Sequence, residues 1–181
     1  DTLSFTLTQP LSAVTNAQIV WEATWLRGFL SNPYRTVTVV LPDGRPSVAE
    51  ENHPAERYRH VGALRLAHRL TSSTTVQLHL RAYADNWRIG AIDPWLIVFQ
   101  DLGADVLLRL RYRYYAQSAS YFCGSPAHLA GQYRTADPKM CAFDSHLAGA
   151  SLRIRLWPLH AFGALRWLSE GAIDVGYDLL V

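Results

Sequence analysis

Lysine is almost absent from this chain: Lys139 stands alone among 17 basic residues, the other 16 being arginine. Cysteine is nearly as scarce, with only Cys123 and Cys141. No stretch approaches 18 consecutive apolar residues, which excludes a transmembrane helix, and the residues after Asp1 show neither the basic nor the apolar region of a signal peptide. Missing too are GxSxG, HExxH, phosphate-loop and GxGxxG patterns. The expectation is a protein that is not an enzyme and carries no cofactor. The two cysteines lack CxxC spacing, and His128 and His146 complete no ligand set, so no metal site is expected. A disulfide between Cys123 and Cys141, stapling one polar loop in an oxidising compartment, is the better reading.

What is present fits one domain, 1–181, with 49% hydrophobic and 18% charged residues, a composition that excludes disorder. Arginine keeps its charge when partly desolvated and engages two acceptors at once, which suits a wet, protein-lined interior or a nucleic-acid surface. A plain compositional bias produces the same excess. Fifteen acidic residues and a net charge of only +2 argue against nucleic acid as partner.

Period-2 alternation runs along the chain. Val76, Leu78, Leu80, Ala82 and Ala84 interleave with Gln77, His79, Arg81, Tyr83 and Asp85. Leu108, Leu110, Tyr112 and Tyr114 interleave with Arg109, Arg111, Arg113 and Tyr115, and 148–156 repeats the pattern around Arg153 and Arg155. Weaker alternation marks strands around 3–7, 19–25, 62–67 and 95–100, and an eighth strand is expected near 162–170. Pro94 limits how far back the seventh pairs, because it donates no ladder hydrogen bond.

The connections sort by length. Gln9 to Asn16, Thr71 to Thr74, Asp101 to Asp105 and Pro158 to His160 are short, and between them fall 31–56, 86–92 and 116–142. Short turns at one end and longer loops at the other are the asymmetry of bacterial outer-membrane barrels. The fold expected is therefore all-β: an antiparallel up-and-down transmembrane β-barrel with about eight strands in this chain. Counting turns places the first strand's start and the eighth strand's end at the long-loop side, so a strand is expected before Asp1 and another after Val181, Tyr177 to Val181 being its start. An eight-stranded closed barrel is also numerically possible.

In lipid, the face with Leu78, Leu80, Leu110, Leu152 and Ile154 points outward, with Trp21, Trp25, Tyr112, Tyr114 and Trp167 as interfacial anchors. The lumen then receives Arg65, Arg69, Arg81, Arg109, Arg111, Arg113, Arg153, Arg155 and Arg166 against Glu22, Asp85, Asp93 and Glu170. Arginine facing lipid costs roughly 2 to 4 kcal/mol at the midplane, which fixes the orientation. Expected lumen-lining residues are Glu22, Arg65, His79, Arg81, Tyr83, Asp85, Arg109, Arg111, Arg113, Tyr115, Arg153 and Arg155. A soluble lipocalin-like ligand-binding barrel would reverse the faces. His79, Tyr83 and Asp85, or Ser145 and Ser151, would suit a hydrolase only if geometry brought them together; hydrogen bonding across the lumen is the simpler role. The run Tyr114 to Phe122, with Gln117 and Ser118, reads as a clamp on the adjoining loop.

Several runs resemble a known family. LRGFLSNPYR (Leu26 to Arg35), RHVGALRLAHRL (Arg59 to Leu70), ADNWRI (Ala84 to Ile89), FQDLG (Phe99 to Gly103) and LRYRYYAQSASYF (Leu110 to Phe122) are similar, in the same order, to runs in a family of bacterial outer-membrane barrels known only as a domain of unknown function. NPYR and the RYYxQSAxxF-like run are the most specific, and the likeness covers most of 18–157. The resemblance implies a barrel in a Gram-negative outer membrane, surrounded by lipid and inserted by the barrel assembly machinery. It implies no reaction, substrate or site. Proteins of this type usually end on an aromatic residue, whereas this chain ends at Val181, in keeping with the expected missing strand. The functions expected are a passive channel or structural barrel, whose arginines favour an anionic solute, or a binding protein whose loops 31–56 and 116–142 meet a partner while the barrel anchors them.

Overall fold

A computed structural model describes residues 1–124, 133–163 and 168–181. Among these residues ten strands form: β1 (Thr2–Ser12), β2 (Thr15–Arg27), β3 (Thr36–Val40), β4 (Pro46–Glu50), β5 (Glu56–Arg69), β6 (Thr74–Asp85), β7 (Gly90–Asp101), β8 (Val106–Gln117), β9 (Phe143–Arg155) and β10 (Ala172–Leu180). Eight make one antiparallel up-and-down sheet in the order β1-β2-β5-β6-β7-β8-β9-β10, and β3 and β4 pair as a separate hairpin. The sheet is not closed: β1 and β10 are its two edges, and every residue of both is exposed.

Register makes the two faces continuous. Ala63 pairs with Arg81 and Arg81 with Asp93; Arg65 pairs with His79, His79 with Trp95 and Trp95 with Arg113. In the alternate rows Leu64 pairs with Leu80 and Leu80 with Pro94, while Leu108 pairs with Leu152. A shift of one residue in any pair would exchange its faces, so the alternation of each strand specifies the register of its neighbours. Pro94 does not end β7, as it pairs with Leu80 on one side, but the ladder to β8 passes from Ile92 directly to Trp95. The missing N–H shows as that gap.

At the end of the sheet away from the cap, three turns are tight. Ser12 Oγ accepts from Val14 N at 3.2 Å, and Thr71 Oγ1 accepts from Ser73 N at 3.2 Å; the third turn contains Gly103 at φ 150°, a conformation that excludes most side chains.

The eighth strand is not where the sequence suggested. Residues 157–161 form a short 3-10 turn, the last strand of the sheet is Ala172–Leu180, and the short turn expected at Pro158 to His160 is a connection over 156–171. The alternation of Ile173, Val175, Tyr177 and Leu179 against Asp174, Gly176 and Asp178 is cleaner than anything in 162–170, and it wins the pairing with β9. Glu170, expected in the lumen, is an exposed residue before β10. His128, Arg166 and Trp167 lie outside the described residues.

The compact part of the molecule is at the long-loop end. The buried hydrophobic residues Val37, Val39, Trp87, Ile89 and Phe122 all belong to the loops or the first residues beside them. The two valines alternate along β3 and pack with Ala49 of β4. Asn52 and Arg134 bridge the first long loop to the third, and Arg134 Nε donates to the Glu50 carbonyl at 2.7 Å. Trp87, Phe122 and His53 meet with ring centroids 5.2 Å apart in each pair. These loops form a cap above the polar face.

Candidate functional site

Directly beneath the cap, Asp85 organises the top of the polar face. It ends β6, and its side chain is fully buried. Oδ1 accepts from Trp87 N at 3.0 Å and Ile89 N at 2.9 Å, the local pattern by which an aspartate pins a turn. Oδ2 accepts from Arg57 Nε at 2.9 Å, from its terminal nitrogen at 2.7 Å, and from Tyr83 Oη at 2.7 Å. Arg57 also lies 4.2 Å from the Trp87 ring centroid, and Trp87 Nε1 donates to the Glu56 carbonyl at 3.0 Å. One carboxylate thereby joins β5, β6 and the turn at Asn86 to Ile89.

Below this knot opens a cavity of about 210 Å³, lined by Arg57, Arg59, Arg81, Tyr83, Asp93, Tyr115, Gln117 and Lys139 among others. Arg113 makes two bonds to Asp93, at 2.6 and 3.1 Å, and sits 4.9 Å from the Trp95 ring centroid. Arg59 lies 5.7 Å from the Tyr83 ring. Tyr115 Oη donates to Gln117 Oε1 at 2.6 Å, and Gln117 Nε2 donates to the carbonyls of Lys139 and Cys141, both at 2.8 Å. Ser118 Oγ donates to the Arg88 carbonyl at 3.0 Å. The end of β8 thus holds its own loop, as the clamp reading anticipated, and also the turn at Asn86 to Ile89.

Lower on the same face, Arg65 donates to Gln18 Oε1 at 3.0 Å, and His79 pairs in register with Arg65. Arg111 of β8 reaches across β9 to Asp178 of β10, its Nε 2.9 Å from the carboxylate. A Cβ at Gly149 would collide with both partners, so glycine there is what lets this ion pair lie flat over the strand between. Arg153 makes bonds of 2.8 and 3.1 Å to Asp174. Arg109 Nε is buried with no hydrogen-bond partner among the described residues. Arg155 is exposed at the short-turn end, and Glu22 accepts from Thr24 at 3.4 Å.

All twelve residues expected to line the lumen therefore lie on the polar face. Tyr83 and Asp85 are bonded, but His79 makes no bond to either, so the three do not form a catalytic array. Ser145 and Ser151 share this face without joining them. Sequence reasoning missed Arg57, Arg59, Asp174 and Asp178. The first two continue the alternation of β5 backward from Arg65, a signal masked by Tyr58, His60 and Gly62 on the opposite face. The aspartates were lost with β10. They pair with arginines already counted, so the surplus of positive charge is smaller in ion-pair terms than the sequence count implied.

In the cap, Glu51 is buried and accepts from Thr135 Oγ1 at 2.5 Å and Asn32 N at 3.2 Å. His53 Nε2 lies 3.3 Å from Glu51 Oε1 without the alignment of a hydrogen bond. Arg35 reaches Asp137 at 2.6 Å and Glu51 at 3.8 Å. Burial works to raise the Asp137 pKa, but the hydrogen bonds from Arg35 and from Lys139 N, with the Arg35 charge, outweigh it and hold the carboxyl below its ordinary value. Arg35 is raised in turn, first through its bond to Asp137. Cys123 and Cys141 form the expected disulfide, with Cα atoms 5.4 Å apart. Among the described residues no group of three or more His, Cys, Asp or Glu side chains is placed to hold a metal ion.

Fold and site together define an all-β protein built on one two-faced antiparallel sheet, apolar on one side and arginine-lined on the other, with a disulfide-bonded cap at one end. The sequence profile of the family described as "Protein of unknown function (DUF3570)" matches residues 1–160, and the chain belongs to that family. Comparison with curated proteins and with solved structures gave no match.

Proposed function

We infer that this chain forms an outer-membrane β-barrel, or a large part of one, whose apolar face meets lipid and whose arginine-lined face encloses a lumen favouring small anions. The observation that carries this reading is where the buried apolar residues are. Among the described residues they lie in and beside the cap, while the sheet leaves Phe5, Ile19, Leu80, Leu96, Leu110 and Val175 between 41% and 63% exposed on one continuous face. A sheet in water needs a layer over such a face; lipid is the solvent that needs none.

Other features support it. Seven of the eight sheet strands have 11 to 14 residues and the eighth has 9, the reach of a tilted transmembrane strand. Trp25 stacks on Tyr58 and Trp21 on His60, and Tyr112 and Tyr114 flank His146, all on the apolar face toward the long-loop end. That is where an aromatic girdle belongs. In β2 and β5 the polar-face residues Glu22, Thr24, Arg57 and Arg59 are the more covered, and Trp21, Trp25, Tyr58 and His60 the more exposed, which disfavours the reversed, lipocalin-like arrangement.

The test is refolding of the full-length protein in detergent, electrophoresis with and without boiling, then bilayer recording. Expected are a detergent requirement, a heat-dependent mobility shift and an anion-selective current. A soluble monomer without detergent overturns the lipid-facing assignment, and cation preference overturns the solute class. A second reading has its own support: the cap presents Phe29 (76% exposed), Tyr34 (94%) and Val48 (69%), large side chains suited to a protein partner on the external side. It predicts insertion without current.

A further inference from the structure

We propose that the cavity beneath the cap is a binding site for a small solute carrying a doubly charged oxyanion, a phosphate monoester being the simplest fit. The proposal rests on the reading that the polar face encloses a lumen.

Its basis is which charges are already answered. Arg57 is neutralised by Asp85, and Arg113 by Asp93. Arg59, Arg81 and Lys139 line the same cavity, and none has an ion-pair partner among the described residues. Asp93, the carboxylate on the cavity wall, is spent on Arg113, and Asp85 takes five hydrogen bonds from its own neighbourhood. Two arginines without an ion-pair partner among the described residues thus line about 210 Å³ of space, with Lys139 as a third basic residue on its wall.

Geometry narrows the ligand. Arg59 and Arg81 stand on adjacent antiparallel strands, Arg59 opposite Asp85 and Arg81 opposite Ala63, so one lies on the strand beside Tyr83 and the other lies two residues before it on its own strand. Two guanidinium groups and an ammonium suit a group with three acceptor oxygens and more than one negative charge. Tyr83 and Tyr115 have their hydroxyls engaged with Asp85 and Gln117, leaving ring surface rather than further polar groups for the rest of the solute. Lys139 lines the cavity from the cap, beside the disulfide at Cys141, with its backbone N–H held by Asp137, so the third basic residue comes from the cap.

The experiment is calorimetric titration of inorganic phosphate, with acetate as the single-charge control, into detergent-refolded full-length protein at low ionic strength in phosphate-free detergent. Chloride current is recorded in parallel with and without phosphate. Expected are saturable phosphate binding, weaker acetate binding, and block of the chloride current over the same phosphate range. Arg59→Gln and Arg81→Gln should each weaken phosphate binding about tenfold, while Arg45→Gln, on the exposed turn of the β3-β4 hairpin, leaves it unchanged. Each variant is first checked for the wild-type heat-dependent gel shift, so that lost binding is not lost folding. Absence of saturable binding, or binding indifferent to Arg59 and Arg81, overturns the site even if an anion-selective current persists. Saturable, Arg59-dependent binding without any current upholds the site and overturns the channel.

Discussion

At the scale of single residues, Asp85 is the position on which most depends. It is an unexposed carboxylate that satisfies two backbone N–H groups, a guanidinium and a phenol. Removing one partner of such a pair leaves a charge uncompensated, so Asp85→Ala should cost about 3 to 5 kcal/mol in a urea titration of the detergent-refolded protein. Asp85→Asn should cost less, because its amide oxygen still accepts from Trp87 and Ile89. Alternation made Asp85 legible as a polar-face residue, but not as a hub: its Arg57 partner is 28 positions away and meets it only through the β5-β6 register. Gly149 was illegible for a related reason. Its need for no side chain comes from Arg111 and Asp178, which belong to the strands on either side.

Among the elements, strands with one apolar and one polar face were readable because the pleat repeats every two residues; β6, β8 and β9 appear close to where the sequence put them. The β3-β4 hairpin was not anticipated, although Asp43-Gly44 flanked by Val37 and Val39 is a hairpin signal in its own right, and Gly44 takes φ 81°. The cap is held by tertiary pairings between distant loops, which no local pattern announces. Its disulfide, by closing a loop of this size, contributes about 3 kcal/mol in the chain-entropy account. The Arg35–Asp137 pair adds a pH dependence. Because the Asp137 pKa is depressed in the folded protein, its contribution is present above the ordinary carboxylate range and is lost as pH falls through the folded value. Hydrogen exchange of the peptides around 133–142, corrected for intrinsic rates, should therefore show protection falling below about pH 4, and Asp137→Asn should flatten that dependence.

For the whole molecule, the decisive contrast is between a sheet without a covering layer and a cap with a small core of its own. Leu110 is already 46% exposed, so in a protein surrounded by water Leu110→Arg would change stability little. In a lipid-facing strand the same substitution should cost about 2 to 4 kcal/mol, read as a lowered urea midpoint in vesicles. Composition and alternation made this division of faces legible from the start, arginine against leucine. The strand total was not legible, because 162–170 imitates alternation well enough to displace the true last strand.

Each strand of the sheet pairs only with its immediate neighbours, and each tight turn joins two of them into a unit that carries its own apolar side and its own polar side. A lineage can therefore gain or lose such a unit by duplicating or deleting one short stretch of gene. The sheet's width would change by two strands, and the remaining pairings would keep their register. Strand number is then the trait most free to drift among homologues, and the cap, whose parts come from three separate loops, is the part that any such change must spare.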